Sequence, residues 1–73
     1  MISTMTLDEI LAEAIRRESA IIDFYRQGMH VTNPEARTVL AELVVQNHAR
    51  ILQLENLRFE IECLRELSIA MAD

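Results

Sequence analysis

The sequence predicts an all-α fold: an antiparallel two-helix hairpin whose second helix is much the longer. Three observations predict it. Of the 73 residues 51% are hydrophobic, yet only Phe24, Tyr25 and Phe59 are aromatic and there is no Trp. One Gly and one Pro leave few places for the chain to break. Aliphatic residues recur at helical spacing on both sides of a single turn signal, His30 to Pro34. Residues 1–73 read as one domain, with no internal repeat, low-complexity segment or linker.

Helix 1 is expected over about residues 7–30. Thr6 to Glu9 fits a capping box, in which the Thr hydroxyl accepts a free backbone N–H and the Glu side chain reaches back to the cap. From there Leu7, Ile10, Leu11, Ala14, Ile15, Ile21, Ile22, Tyr25 and Met29 form an apolar face. Asp8, Glu9, Glu13, Arg16, Arg17, Asp23 and Arg26 are expected opposite it. His30 falls at the helix end, where a cationic imidazole would suit the dipole.

The turn is expected at residues 31–33 and helix 2 at about 34–71. Asn33 is a good N-cap, and Pro34 suits the first helical position because its missing N–H would have no partner there. Glu35 places negative charge in the first turn. Beyond Pro34 there is neither Pro nor Gly, so the helix can run on to Met71. Asn56 is a candidate break that nothing requires. Leu40, Leu43, Val44, Ile51, Leu54 and Ile61 form its apolar centre, flanked by Ala41, Val45, Leu52 and Phe59 on one side. Val39, Leu57 and Leu64 flank it on the other, which leaves only a narrow polar strip.

A helix apolar over so much of its circumference is covered on several sides, and helix 1 cannot supply all of that cover. Ile61, Leu64, Leu67, Ile69 and Met71 are expected to lie beyond its reach. Chains of this size are marginal on their own core. Homodimerisation, completing a four-helix bundle, is the simplest solution, and larger homo-oligomers can be built from such dimers. Arg58, Glu62 and Arg65 are expected to form ion pairs between subunits.

Composition also excludes classes. Net charge is −5 and the basic residues are scattered, against a nucleic-acid surface. No apolar run is long enough for a membrane span, and the first ten residues lack a secretory pattern. Cys63 is alone, which suits a reducing, cytoplasmic setting and a packing role. There is no glycine-rich phosphate loop, zinc pattern or serine elbow, and no acid–base pair assignable to a reaction, so no catalytic residue is named.

One residue stands out. Glu18 interrupts the apolar stripe between Ala14/Ile15 and Ile21/Ile22, with Tyr25 seven residues on. A buried carboxylate needs a cation, several donors or a proton. The pattern Glu18-x6-Tyr25, then Asn33-Pro34-Glu35, then an aliphatic-rich helix, resembles the helical hairpin of the ferritin-like superfamily. Rubrerythrins and the short encapsulated ferritins are the nearest in pattern, and the likeness covers about Ile10 to Leu54. The resemblance implies a helical bundle in which a Glu of the first helix and an E-x-x-H of the second hold two iron ions. In that family a Tyr one heptad after the first Glu hydrogen-bonds within the site.

Glu18 and Tyr25 match that pattern; the second helix departs from it. Counted from Pro34 without gaps, Asn47 stands where the family has Glu and Arg50 where it has His. Arginine cannot shed a proton to become a ligand, but it pairs well with a carboxylate. A buried polar network of Glu18, Tyr25, Asn47 and Arg50 then replaces the metal site, and no cofactor is needed. A rival register uses His48: two Glu18 and two His48 across a two-fold axis would give four ligands for zinc or iron between subunits. The functional expectation is a non-enzymatic oligomeric protein with a degenerate metal site, an accessory or interaction module whose first partner is itself. The alternatives are an iron-handling protein with an intersubunit site using Glu18, His48 and Glu55, and a docking module for another protein on the wide apolar face.

Overall fold

A computed structural model describes residues 5–30 and 33–71. Two helices account for nearly all of them: α1, Leu7–Gly28, and α2, Pro34–Met71. The start of α1 follows from its cap. Thr6 Oγ1 accepts from the Glu9 N–H at 3.2 Å while the Thr6 N–H donates to Glu9 Oε1 at 3.4 Å. Two of the donors that every helix start leaves unpaired are thereby satisfied.

The expected end of α1 at residue 30 is corrected to Gly28. Met29 N–H donates to the Tyr25 and Arg26 carbonyls, and His30 N–H to the Gln27 carbonyl at 3.2 Å. The last turn tightens from i−4 to i−3 bonding, so His30 stands past the helix rather than in it. Gly28 is where the helices come close, because a Cβ built there would lie 3.2 Å from Leu40 Cδ1. Residues 31 and 32 of the expected turn lie outside the described residues.

Asn33 caps α2, its Oδ1 accepting from the Glu35 N–H at 2.9 Å and the Ala36 N–H at 3.2 Å. The helix then runs unbroken for 38 residues, straight past Asn56. At ~1.5 Å per residue, α2 reaches about 57 Å and α1 about 33 Å. The antiparallel overlap nevertheless takes in most of α2: Asp8, in the first turn of α1, lies against Arg65. Ile61 is accordingly half-buried inside the hairpin, a correction to its expected lack of a partner. Leu64, Leu67, Ile69 and Met71 stay exposed.

The core between the helices is thin. Among the described residues Leu11 and Ile22, at 5% and 3% exposure, are the buried apolar ones, and Asn47, at 3%, is the buried polar one. The Cα extents are 62 × 32 × 11 Å, a slab one helix thick. Its radius of gyration of 17.4 Å exceeds the ~11 Å expected of a compact domain of this length. Domains close their cores between at least two layers; this hairpin is one layer, with both broad faces open.

Candidate functional site

The centre of the slab holds the carboxylate that the sequence singles out. Glu18 lies one turn below Ile22 on the face of α1 that meets α2, and its side chain is 21% exposed. Directly across, Asn47 Nδ2 donates to Glu18 Oε2 at 2.7 Å. A carboxylate only accepts, so the amide must present its NH2 to it. Asn47 is buried because it occupies the row of α2 that faces α1, seven residues after Leu40 and seven before Leu54.

Arg50 reaches the same carboxylate oxygen from one side, its Nη1 4.0 Å away. That is an ion pair across a gap and not a hydrogen bond. Its side chain is 59% exposed, so burial of Arg50 is not a property of the single hairpin. Tyr25 is half-buried on the same stripe, but its recorded side-chain partner is the neighbouring Phe24 ring at 6.0 Å, and no hydrogen bond joins it to Glu18. The four residues of the expected network are therefore brought together unequally. Glu18 and Asn47 bond, Arg50 flanks, and Tyr25 stays apart.

His48 lies elsewhere. Its Nε2 sits 3.3 Å from Arg26 Nη2, on the opposite side of the slab from Arg50. The short contact needs the ring nitrogen to accept from the guanidinium. No group of three or more His, Cys, Asp or Glu able to hold a metal occurs among the described residues. The donor set at Glu18 also fits a metal poorly, because an amide NH2 and a guanidinium are hydrogen-bond donors and the latter a fixed cation. Among the described residues no buried side-chain nitrogen or oxygen lacks a partner, so none is left pointing at an absent ligand.

The chain matches no protein-family model, no curated protein and no solved structure.

A second interhelix pair was not foreseen from the sequence. Arg65 Nη1 meets Asp8 Oδ2 at 2.6 Å and lies 3.7 Å from Glu62. Asp8 therefore turns toward α2, not away with the polar face of α1, and Arg65 has partners within the chain. The Asp8 carboxylate holds the Arg65 guanidinium above its usual pKa. A signal existed: Arg65 follows Arg58 by seven residues and Ile61 by four, on the row that faces α1. A surface cleft lined by Asp8, Glu55, Arg58, Phe59 and Glu62 adjoins this pair, at the end of the hairpin away from its turn and well apart from Glu18.

On the solvent side of α1, Glu13 accepts from both Arg16, at 2.6 Å and 2.9 Å, and Arg17, at 3.0 Å. Those hydrogen bonds, Arg16 first, pull its carboxyl down from 4.5 to about 2. The cluster is a solvated helix face of i,i+3 and i,i+4 neighbours. No helix of the described residues is long and apolar enough to cross a membrane.

Proposed function

We propose that this chain is a self-associating, non-enzymatic helical module on a ferritin-like plan, in which a carboxylate–amide–guanidinium cluster stands where that family holds metal. The observation that carries the reading is Asn47, buried and donating to Glu18 at 2.7 Å. An amide in that place satisfies the carboxylate without a metal, and Arg50 adds the countercharge. On this reading the chain serves as a scaffold or accessory module in the cytoplasm, with a second copy as the first partner. The lone, exposed Cys63 suits that compartment.

The iron-handling alternative, with Glu18 and His48 joined across subunits, draws less support. His48 is engaged by the guanidinium of Arg26, and a cation beside a prospective ligand opposes a metal ion. Plasma emission analysis of the purified chain decides between the two. The expected result is substoichiometric iron and zinc, unchanged in Glu18→Ala. Stoichiometric metal that disappears in Glu18→Ala would overturn the proposal.

A further inference from the structure

The two broad faces of the hairpin differ, and the helical repeat says how. Residues seven apart lie nearly on one line along a helix, drifting by only about 20° per heptad. One face carries Leu7 and Ile21 from α1 and the row Leu43, Arg50, Leu57, Leu64 from α2. The other carries Ser19 and Arg26 from α1 and His48, Glu55 and Glu62 from α2. Two contacts fix the sides: Arg26 meets His48 on the polar face, and Arg50 approaches Glu18 from the apolar one.

We infer that a second copy of this chain covers the apolar face about a two-fold axis, so that the Glu18–Asn47–Arg50 cluster is enclosed between four helices. This rests on the self-association proposed above and names its surface. Area supports it. A compact monomer of 8.4 kDa exposes about 4,600 Å², whereas this chain exposes 6040 Å². The excess of about 1,400 Å² is more than the ~800 Å² per partner that a standard interface covers. Leu7, Ile10, Ile21, Leu57 and Leu64 are all exposed on this face, with Arg17 one heptad after Ile10 at its rim. Heptad rows of this kind pack against a like pair of helices by knobs into holes.

Charge selects a second copy over an unrelated protein. The mid-face cation, Arg50, is largely exposed, while Glu18 keeps one carboxylate oxygen without a hydrogen bond. A two-fold axis near them sets each copy's Arg50 within reach of either copy's Glu18, which is the self-complementarity an isologous interface requires. Burying the polar face instead would take Arg26, His48, Glu55 and Glu62 out of water together, a larger desolvation cost than the apolar face carries.

The test uses the full chain and reads its mass by sedimentation velocity across a concentration series. Ile21→Glu/Leu57→Glu places charge on the apolar face. Leu52→Glu/Phe59→Glu places it on the side of α2 turned away from that face, where both side chains are also exposed and apolar. The inference expects wild type and the Leu52→Glu/Phe59→Glu variant to be dimers of similar strength and the face variant to dissociate. Should the face variant lose its helices, Arg50→Glu carries the test, read against the helicity of the variant itself, because Arg50 is largely exposed in the single hairpin. Enclosure beside Glu18 predicts that this reversal weakens the dimer by more than about tenfold. A dimer that survives the face changes and is lost in the Leu52→Glu/Phe59→Glu variant overturns the inference while leaving self-association standing. A monomeric wild type overturns both.

Discussion

The hairpin joins α1 to α2 through a carboxylate at two places, and the two joints are built differently. At the centre, Glu18 is mostly covered, bonds a buried amide at 2.7 Å and keeps its arginine 4.0 Å off. At the end away from the turn, Asp8 and Arg65 touch at 2.6 Å, yet both side chains are nearly half exposed. The shorter ion pair is thus the one that water screens, and the looser one sits where desolvation matters. Exposed pairs typically contribute about 0–1 kcal/mol whatever their length. Partly covered polar groups gain little by being paired but lose much when a partner is removed. The end joint therefore trims the surface, whereas the central joint constrains which residues can stand opposite one another.

The largest effect should separate the two joints most sharply. If a second copy encloses the centre, Arg50→Ala leaves a confined carboxylate without its cation and costs about 3–5 kcal/mol in urea unfolding. If Arg50 stays in water, the loss falls to the range of a surface pair. Next, Asn47→Ala removes the direct donor to Glu18 and is expected to cost about 1–3 kcal/mol. Glu18→Leu/Asn47→Leu, which removes both partners, should recover most of that stability in the same denaturation experiment. A double variant as unstable as Asn47→Ala would mean that the amide matters for packing and not for the carboxylate.

Asp8→Asn should cost less than about 1 kcal/mol, and its effect should shrink as salt is added. A loss as large as that of Asn47→Ala would erase the contrast between the joints. The smallest effect belongs to Glu13, which joins no two helices. Its carboxyl lies at about 2 in the folded chain against 4.5 for an unperturbed group. A depressed folded pKa contributes stability that is fully present above pH 4.5 and is lost as pH falls toward 2. Thermal melts of Glu13→Gln should match wild type at the acid end of that window and fall slightly below it at neutral pH.

Local chemistry made the helix boundaries legible. The Thr6–Glu9 box and the Asn33–Pro34 cap each satisfy backbone donors with side chains a few residues away, so neighbouring residues suffice to find them. The hairpin followed from one turn signal between two apolar periodic segments. Asn47 and Arg50 become candidates opposite Glu18 only by counting from Pro34 against the ferritin-like pattern that the hairpin resembles. Side-chain reach was less accessible. Asp8 reads as solvent-facing on α1 alone and becomes an interhelix residue only because Arg65 extends to it. Tyr25 carries no such partner across the groove, although its spacing from Glu18 is that of the family pattern. His48 required knowing that Arg26 lies on the same broad face. Such pairings depend on how two helices drift past each other, which neither helix specifies alone.

Sedimentation equilibrium of the unmodified chain at micromolar concentration tests the central claim most directly. A species of twice the 8.4 kDa chain mass is the predicted result. A stable, helical species at the single-chain mass would contradict it, for it would leave Leu57, Leu64 and the Arg50 side of Glu18 in water with nothing to enclose them.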